Sequence, residues 1–518
     1  SLNEPKDNFT IGINDDVTNL SLKVDESYKI SNSHEILLYG YGSDGMVSAA
    51  KVLIGLIGNE TDNIVQGYFQ YDSKKSGGVT IGHLRFNKEK IRSTYYVENP
   101  ELVMVTKDNY LKEFDTISKL KENGYEIVPF NSLADIYIIN TCTVTNTADN
   151  KSEKMIRQAR KNKDAIVVVM GCHSQIKGNS IDADIIIGNK DKSKIVELLE
   201  EYIKNKKEIK KIYDLTNESF EDMEINDFNS HTRAFVKIQD GCDAFCAYCI
   251  IPYSRGNIRS KNENLVIEEV TNLVNRGYKE IVLTGIHTGK YGRDINTNLE
   301  NLLKKLIKIP NLYRLRISSI EINEITNGII EIMKNSNIIA HHLHIPLQSG
   351  SDKILKLMER KYDTKYFLDR INYIRKNILD ISITTDLIVG FPYEDDNLFN
   401  ETINFLNKIK FSKIHVFPYS KREGTKACTM DNQVSQEIKK IRTRKVIELS
   451  NDNELEFYKS MLNKEEEIIT ESYKNGYTKG FTSNYILVHI KGKYDTNKII
   501  KVKIDKVVDK NIVIAKLV

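Results

Sequence analysis

The sequence predicts an α/β protein made of several domains. From about residue 125 to residue 450, short apolar runs typical of buried strands alternate with charged, amphipathic runs typical of helices. After about residue 455 the pattern changes to alternating apolar and polar positions broken by turns such as Asn475-Gly476, which predicts a small antiparallel β-barrel. The length of 518 residues agrees with this division, since domains usually hold about 100 to 200 residues.

Composition limits the classes of protein to consider. Hydrophobic residues make up 40% of the chain and charged residues 28%, and no apolar run approaches the ~18 residues that a membrane span needs. Residues 1–20 lack the basic start and apolar centre of a signal peptide, so we expect a cytoplasmic protein with no membrane partner. Six cysteines in so long a chain do not make a disulfide framework. With a net charge of +4, nucleic-acid binding would depend on local basic patches.

Residues 1–122 form the first predicted domain, which begins with a strand, a glycine-rich turn and a helix. The strand EILLY leads into GYGSDG, which supplies Gly40, Gly42 and Gly45, and the helix MVSAAKVLIGLIG follows. The glycine spacing fits G-x-G-x-x-G, in which a phosphate approaches the N-terminus of the helix. This pattern predicts a Rossmann-like fragment with Asp62 near the position of a ribose-binding acid, and a plain tight turn is the alternative.

A wider stretch of this domain resembles a known enzyme family. Its segments are similar to the domain of pyruvate:ferredoxin (flavodoxin) oxidoreductase that follows the thiamine-pyrophosphate partner domain: GINDDVTNLSL, GYGSDGMVSAAK, QGYFQYDSKKSGGVTIGHLRF and IRSTYYV. In that family the domain helps to accommodate coenzyme A. Because nothing here resembles the thiamine-binding domains, we expect that the segment cannot carry out oxoacid chemistry alone.

The second predicted domain, residues 123–204, places two cysteines at the ends of strands. ADIYIINTC and AIVVVMGC read as buried strands that end in Cys142 and Cys172, with a basic amphipathic helix between them and a third strand, ADIIIGN, after them. This alternation predicts a parallel sheet, whose functional residues are expected at the carboxyl ends of its strands. The residues alone leave open whether these are two buried thiols or parts of one site.

The third predicted domain, residues 230–454, follows a linker at 205–229 and opens with three closely spaced cysteines. The loop DGCDAFCAYC leaves three residues between Cys242 and Cys246 and two between Cys246 and Cys249. Three thiolates on one loop can each hold one iron of a 4Fe–4S cluster and leave the fourth iron open. A structural zinc site is the alternative, but zinc needs four ligands and no Cys or His follows within thirty residues.

The cysteine spacing resembles that of radical S-adenosylmethionine (SAM) enzymes, which implies a 4Fe–4S cluster that binds SAM. It also implies an incomplete parallel barrel, a partial (β/α)6 fold whose chemistry lies on the loops after its strands. Segments such as EIVLTGIHTG, HHLHIPLQSGS and ISITTDLIVGFP agree with that fold. Residues on these loops are candidates for SAM binding, although each alone could equally form a cap or a turn: Tyr248, Thr284, Gly285, Ser319 and Gln348.

Several motifs resemble those of the methylthiotransferases, radical SAM enzymes that add a methylthio group to tRNA adenosine or to a ribosomal protein: NTCTVTNTADNKS, VVVMGCHSQ, IPLQSGSD and FPYSKREGT. FVKIQDGCDAFCAYCIIPYSRG and LTGIHTGKYG look most like the branch that acts on threonylcarbamoyladenosine. The resemblance implies conversion of N6-threonylcarbamoyladenosine at position 37 of tRNA to its 2-methylthio derivative. It also implies tRNA as a partner and flavodoxin or ferredoxin as the electron donor.

The same resemblance implies a second 4Fe–4S cluster, held by three cysteines of the second domain. Cys142 and Cys172 match two of them, but Thr106 stands where the first is expected. A threonine hydroxyl is a poor iron ligand because its proton is hard to remove, and His173 is a weak substitute because neighbours on an extended strand point apart. The alternative function is therefore a tRNA-binding fusion protein that cleaves SAM but cannot transfer sulfur. A third hypothesis is that residues 1–122 recruit oxidoreductase subunits or ferredoxin.

The last predicted domain, residues 455–518, resembles the TRAM module, an OB-like barrel attached to tRNA-modifying enzymes. Its aromatic and basic residues suit stacking on unpaired bases with phosphate contacts nearby. We predict RNA contacts for Arg255 beside the cysteine loop and for Tyr477, Lys479 and Phe481 in the barrel. The alternatives are a plain barrel core with a charged exterior and, for the basic residues, simple solvation.

Overall fold

The computed structural model describes most of the chain from residue 134 onward and shorter stretches before it. The described residues are 34–41, 64–71, 79–88, 102–105, 120, 123–128, 130, 134–216, 218–222, 232–508 and 512–518. The chain divides into two compact units, Ser1–Glu113 and Phe114–Val518. Within the described residues, no helix is both long enough and apolar enough to cross a membrane.

The first unit contains a sheet with the strand order β2-β3-β1-β4. Its strands are β1 (His34–Tyr41), β2 (Ile64–Tyr71), β3 (Val79–Asn87) and β4 (Leu102–Val105). β1 contains the predicted strand EILLY, whereas the glycine turn and the helix after it lie outside the described residues. β3 runs antiparallel to β1 and β2, and only β4 pairs in parallel with β1. The Rossmann-like interpretation is not confirmed, since a Rossmann sheet is mostly parallel.

The second unit begins with the predicted parallel sheet, in the order β5-β6-β7-β8. Alternate residues of its strands are buried under helices on both faces, as is usual for parallel sheets. The sheet is completed by β8, which lies inside the segment predicted as a linker. The elements are β5 (Ile136–Thr141), α1 (Asn146–Ala159), β6 (Ile166–Gly171), α2 (Cys172–Lys177), β7 (Ile185–Ile187), α3 (Ile195–Asn205) and β8 (Ile209–Lys211).

The next part of this unit is an incomplete barrel, as predicted. Two sheets, β10-β9-β11-β12 and β13-β14-β15, are joined through bridges from Leu315 to Ile339 and from Ser319 to His344. All of these strands run parallel except the short β10. The strands are β9 (Arg233–Asp240), β10 (Arg259–Ser260), β11 (Glu280–Gly285), β12 (Arg314–Ile317), β13 (His342–His344), β14 (Ser382–Val389) and β15 (Lys413–Pro418).

Helices cover the outer face of the incomplete barrel. The alternation of residues along β14 shows how: Ile383, Leu387 and Val389 are fully buried in the core beneath the helices, so Asp386 and Ile388 lie on the interior face. The helices are α4 (Ile251–Arg255), α5 (Glu263–Asn275), α6 (Leu299–Leu306), α7 (Asn327–Asn335), α8 (Asp352–Leu357), α9 (Thr364–Asn377), α10 (Asp396–Ile409) and α11 (Gln436–Ser460).

The longest of these helices, α11, protects the edge of the incomplete barrel. The Ser450 hydroxyl accepts a hydrogen bond of 2.9 Å from the backbone N–H of Ile414 in β15. A strand at a sheet edge otherwise exposes such groups to chance pairing with other strands. Because α11 continues to Ser460, the predicted boundary at residue 454 falls inside a helix.

The chain ends in a small barrel, which is closed in the order β16-β17-β18-β20-β19. It is antiparallel, as predicted, except between β18 and β20, which pair in parallel. Closure leaves no free strand edge. The expected turn at Asn475-Gly476 is present, with both residues at positive φ. Aliphatic side chains such as Ile468, Val488 and Val502 fill its core. The strands are β16 (Glu465–Lys474), β17 (Tyr477–Phe481), β18 (Leu487–Lys491), β19 (Ile499–Val508) and β20 (Ile512–Leu517).

Candidate active site

The three closely spaced cysteines lie on the loop that joins β9 to α4. Gly241 turns the chain at the start of this loop with φ of 77°, and a side chain there would collide with the carbonyl of Asn257. The loop is also held by hydrogen bonds from the N–H of Cys242 to the Gly256 carbonyl, 3.0 Å, and from the N–H of Cys249 to the Cys246 carbonyl, 2.9 Å. All three thiols are free and half-buried. As a donor set, three such thiolates fit three irons of a 4Fe–4S cluster.

A histidine and a buried glutamate stand beside the first cysteine. His287 Nδ1 lies 3.3 Å from Cys242 Sγ, and His287 Nε2 lies 2.9 Å from Glu324 Oε1. Burial lowers the pKa of His287, but its bonds to Cys242 and Glu324 outweigh burial and raise the pKa to about 9. The sequence interpretation passed over both residues. The one sequence feature that could have identified them is their position on polar loops after β11 and β12.

Arg360 stands beside the second cysteine. Its Nη1 lies 3.4 Å from Cys246 Sγ and 3.5 Å from the Tyr248 hydroxyl, and its Nη2 forms an ion pair with Glu321. Only 6% of the Arg360 side chain is exposed, so its positive charge acts on the thiol through little water. Sequence reasoning missed Arg360, which follows Cys246 by 114 residues.

The five residues predicted to bind SAM lie at the same end of the incomplete barrel as the cysteine loop. The Tyr248 ring packs edge-on against Phe391, with centroids 6.5 Å apart. Ser319 is exposed at the rim. The other three make contacts within the barrel wall. The role of all five residues in SAM binding stays a prediction. Thr284 Oγ1 donates to the Val236 carbonyl, Gly285 packs against Gln239, and the Gln348 N–H donates to the Asp386 carbonyl.

A layer of polar side chains crosses the interior wall of the incomplete barrel, one interior residue below Ile388 on β14. His344 Nε2 lies 3.3 Å from Asp386 Oδ2, and the rings of His344 and His415 are 5.7 Å apart. Asp386 and His415 are direct partners in the pairing of β14 with β15. Ile388, the next interior residue of β14, and Tyr248 pack against the same apolar cluster. The layer lies roughly 7 Å below the level of Ile388, since each strand residue rises about 3.3 Å.

Cys142 and Cys172 occupy neighbouring strand ends in the parallel sheet, as predicted. They follow β5 and β6, whose last residues, Thr141 and Gly171, are paired. Cys142 is exposed and Cys172 is buried. Thr106, expected at the third ligand position, lies outside the described residues.

The surroundings of Cys172 favour its thiolate. Asn189 Nδ2 donates a hydrogen bond of 3.3 Å to its Sγ. Burial raises the pKa of Cys172, but the positive charges of Arg255 and Lys192 outweigh burial, so the pKa is lowered overall. His173 is turned toward α1, where its Nδ1 lies 3.1 Å from Asp149 Oδ1.

The position of Arg255 corrects its predicted role in RNA binding. Its guanidinium is largely buried, lies 3.1 Å from Asp240 Oδ1 and interacts with Cys172. A phosphate could reach it only by breaking these contacts. Arg255 instead joins the incomplete barrel to the cysteine-bearing sheet, together with Asn189 Nδ2, which donates to the Ser254 carbonyl at 2.7 Å.

A second arginine of the barrel holds the chain beside Cys142. Arg422 donates hydrogen bonds to Asp149 Oδ2 at 2.6 Å, to Asn146 Oδ1 at 2.9 Å and to the Thr143 hydroxyl. These acceptors lie at or near the start of α1, directly after Cys142. Both cysteine-bearing strand ends of the sheet therefore pack against loops of the incomplete barrel.

The residues predicted to bind RNA in the small barrel have two different surroundings. Tyr477, Lys479 and Phe481 share the outer face of β17, because they alternate with buried residues. The Phe481 ring, however, is covered by the guanidinium of Arg233, 4.7 Å from its centroid, and stacks on Tyr485, also at 4.7 Å. One side of the Phe481 ring therefore joins the two barrels. Base stacking by Phe481 stays a prediction, as do the RNA contacts by Tyr477 and Lys479.

The fold and the cysteine loop together define the class of protein. A Cys-x3-Cys-x2-Cys loop after the first strand of an incomplete parallel barrel is the arrangement of a radical SAM enzyme, with a 4Fe–4S cluster and SAM as cofactors. In agreement, residues 236–406 match the family model described as "Radical SAM superfamily". Residues 108–190 match the model described as "Uncharacterized protein family UPF0004".

Sequence relatives identify the family. The chain is 43% identical over 400 residues to threonylcarbamoyladenosine tRNA methylthiotransferase MtaB of Bacillus subtilis, covering 74% of this chain and 89% of the relative. It is 38% identical to the protein of the same name from Aquifex aeolicus, covering 76% and 97%. It is 35% identical to tRNA-2-methylthio-N(6)-dimethylallyladenosine synthase of Carboxydothermus hydrogenoformans, covering 75% and 92%. The chain belongs to the radical SAM family of tRNA methylthiotransferases and is a transferase.

Proposed function

We propose that this enzyme converts N6-threonylcarbamoyladenosine at position 37 of tRNA to its 2-methylthio derivative. The observation that carries the substrate choice is the polar layer of His344, Asp386 and His415 below Ile388. Two relatives named for action on threonylcarbamoyladenosine support it. An interior wall with hydrogen-bonding groups suits a polar substituent on the adenine better than an apolar one.

The substrate choice follows from the hydrogen bonds that this partly exposed polar layer can offer to a substituent of the adenine. The threonylcarbamoyl group offers N–H, hydroxyl and carboxylate groups that imidazole and carboxylate side chains can bond. A dimethylallyl group offers none, so it would displace water from His344 and Asp386 and leave them only their bonds to each other and to Thr384. Sites built to hydrogen-bond a substrate reject analogues that lack the bonding group far more strongly than apolar pockets reject a missing methylene.

The first cysteine loop would hold the cluster through Cys242, Cys246 and Cys249. When bound with SAM, this cluster supplies the electron that cleaves the sulfonium bond. Arg360 and His287 place N–H groups and positive charge beside the sulfur atoms of Cys246 and Cys242. Their own partners, Glu321 and Glu324, hold them in those positions.

Cys142 and Cys172 would hold the second cluster that methylthiotransferases carry. The surroundings of Cys172 fit a thiolate ligand, because Asn189 and Arg255 both stabilise negative charge on its sulfur. Arg255 and Arg422 keep these two cysteines against the incomplete barrel, where the methylthio acceptor must enter. Flavodoxin or ferredoxin is the proposed electron donor, and the cytoplasm is the proposed compartment.

The test is mass spectrometry of nucleosides from tRNA incubated anaerobically with reconstituted enzyme, SAM, sulfide and a reductant. Threonylcarbamoylated tRNA should gain a methylthio group, and tRNA carrying dimethylallyladenosine should not. Cys242→Ala should abolish the product. Equal modification of both tRNAs would contradict the proposed substrate.

The same experiment decides the second candidate function, a fusion protein that binds tRNA and cleaves SAM without transferring sulfur. Its basis is the threonine at position 106 in the sequence. Formation of 5′-deoxyadenosine with no methylthio product on either tRNA would support it. Product formation that is lost in Cys172→Ala would instead assign the second cluster to the described cysteines.

A further inference from the structure

Two exposed aromatic rings, one on the cysteine loop and one on α4 directly after it, take no part in the proposed chemistry. Phe245 is 43% exposed and Tyr253 is 50% exposed. Their centroids are 5.5 Å apart and their planes meet at 81°. In such an edge-to-face pair, the ring that gives its edge keeps both of its faces uncovered by its partner. The pair therefore offers an open aromatic face to the solvent.

Local backbone geometry turns one of these rings outward. Phe245 has φ of 47°, in the left-handed region that residues with side chains seldom occupy. It directly precedes Cys246, and Tyr253 lies in α4, four residues after Cys249. A bulky residue held in such a conformation beside reactive groups is a reason to look for a function. Both rings are thus attached to the loop that would hold the first cluster.

Charged residues around the rings are paired with one another. Lys290 forms an ion pair with Asp243 on the cysteine loop. Lys426 interacts with Tyr253, and its Nζ lies 2.7 Å from Glu359 Oε1. The turn that carries Lys426 is joined to the cysteine loop by a hydrogen bond of 2.8 Å from the Ala427 N–H to the Ala247 carbonyl. The rings form a small uncharged centre with a polar border.

The size of this surface decides what can bind there. A stable protein interface buries about 800 Å² on each partner, far more than two rings within a polar border can supply. Two rings do match the area of one or two nucleobases, whose flat faces stack on aromatic side chains whatever the base.

We propose that Phe245 and Tyr253 form a stacking platform for an unpaired base that neighbours the target adenosine in the tRNA loop. This proposal rests on the family's action on tRNA and does not depend on which modified adenosine is the substrate. To bring its reacting carbon to the cysteine loop, the target base must leave the stack of its neighbours. A neighbouring base then loses a stacking partner, and the exposed ring face replaces it.

The experiment measures the dissociation constant of a tRNA anticodon stem-loop for the reconstituted full chain. Phe245→Ala and Tyr253→Ala should each weaken binding roughly tenfold, and the double variant more, because each removes a ring on which a base can stack. Tyr253→Phe, which keeps the ring, should bind like the original protein. Tyr366→Ala is the matched control, since Tyr366 is 42% exposed on α9 and lies outside this surface.

A second RNA separates stacking from a general loss of structure. In this RNA the base on one side of the target adenosine, and then on the other, is replaced by an abasic site. If a ring stacks on the missing base, the alanine variants should lose no further affinity for that RNA. Iron content and 5′-deoxyadenosine formation without RNA report whether the first cluster is intact. Phe245→Leu and Tyr253→Leu, which keep apolar volume without a ring, replace the alanine variants if the cluster is lost.

Two results would overturn the proposal. One is a double variant that binds the stem-loop as tightly as the original protein. The other is a loss of affinity that is the same for intact and both abasic RNAs. Unchanged RNA affinity together with slower reduction by flavodoxin or ferredoxin would assign the two rings to docking of the electron donor instead.

Discussion

At the scale of single residues, the thiols of the candidate site are controlled by side chains that come from distant parts of the chain. Cys242 has His287 beside it, Cys246 has Arg360, and Cys172 has Asn189 and Arg255. Each neighbour places an N–H group or a positive charge near sulfur. At Cys172 the positive charges of Arg255 and Lys192 outweigh burial and lower the pKa, which favours the thiolate that ligates iron.

Arg360 should raise the reduction potential of the first cluster. A buried positive charge beside Cys246 stabilises the reduced cluster, which is the more negative form. We expect Arg360→Gln to lower the midpoint potential by on the order of 50 mV, the equivalent of a tenfold change for one electron. Spectroscopic redox titration measures it. Arg370→Gln, on a helix that packs away from the cysteines, should leave the potential unchanged, and an equal shift in both variants would contradict this role.

Glu466 should make the stability of the small barrel depend on pH. Burial raises its pKa to about 7, and the nearby Asp380 adds to the effect. The folded state therefore holds a proton that the unfolded state, with a pKa of about 4.3, has released, so the free energy of unfolding should fall as pH rises from about 4.5 to 7. Glu466→Gln should remove this fall and add about 1–3 kcal/mol at pH 8.

Thermal melting between pH 5 and pH 8 checks the Glu466 prediction. Glu465→Gln is the control, because Glu465 is exposed on the same strand and its ion pair with Lys501 is worth about 1 kcal/mol or less. A pH profile that is the same in the original protein and in Glu466→Gln would contradict the assignment.

At the scale of elements, the incomplete barrel contacts helix α1 of the sheet domain through side-chain hydrogen bonds from Arg422. Thr145 caps its N-terminus by accepting from the Ala148 N–H, and Asn146 and Asp149 in its first turn bond Arg422. The pKa of Asp149 is lowered to about 2: burial raises it, but hydrogen bonds to His173 and Arg422 outweigh burial. The carboxylate is therefore charged and committed to this contact.

Removing the Arg422 contact should loosen α1. Arg422→Met removes the positively charged partner of the Asp149 carboxylate, which keeps its contacts with His173 and Thr143. Losing one partner of a buried ion pair costs up to about 3–5 kcal/mol. We expect faster amide hydrogen exchange in α1 and little change in α9, measured by mass spectrometry. Glu423→Gln, at the exposed ion pair with Lys177, is the matched control and should change exchange little. Unchanged exchange in Arg422→Met would show that other contacts hold the helix.

At the scale of the whole second unit, the small barrel is fixed to the base of the incomplete barrel by arginine and aromatic side chains. Arg233 lies over Phe481, Arg316 lies over Tyr485 at 4.5 Å, and Arg314 donates to the carbonyls of Phe481 and Glu467. The buried Glu280 balances the positive charge of these arginines. The contact lies at the opposite end of the strands from the cysteine loop.

Phe481 and Tyr477 should separate stability from RNA binding. Phe481→Ala removes the ring that packs under Arg233, and large-to-small changes of this kind cost about 3–5 kcal/mol when the ring is well packed. We expect a lower melting temperature for Phe481→Ala, and weaker tRNA binding with an unchanged melting temperature for Tyr477→Ala. Calorimetry and a tRNA binding assay measure the two effects. Weaker tRNA binding with an unchanged melting temperature in Phe481→Ala would support the predicted role of Phe481 in base stacking.

Local spacing was enough to predict much of this protein. The cysteine triplet, the parallel sheet ending in Cys142 and Cys172 and the closed terminal barrel are all present, because periodicity and spacing are encoded in neighbouring residues. The incomplete barrel, which the resemblance to radical SAM enzymes implied, is present as well. The likeness of residues 1–122 to pyruvate:ferredoxin oxidoreductase stays a prediction. Arg255 and Phe481 were assigned to RNA from the same local evidence, which says only that a residue is basic or aromatic.

Only the folded chain decides which distant residues meet. Arg360 reaches Cys246, Arg422 reaches the helix after Cys142, and Arg255 is buried beside Cys172, although no local pattern links these pairs. The physical reason is that long side chains act where the packing of remote elements places their charged ends. The sequence could therefore propose candidate ligands, whereas the tertiary structure decides which side chains lie beside them.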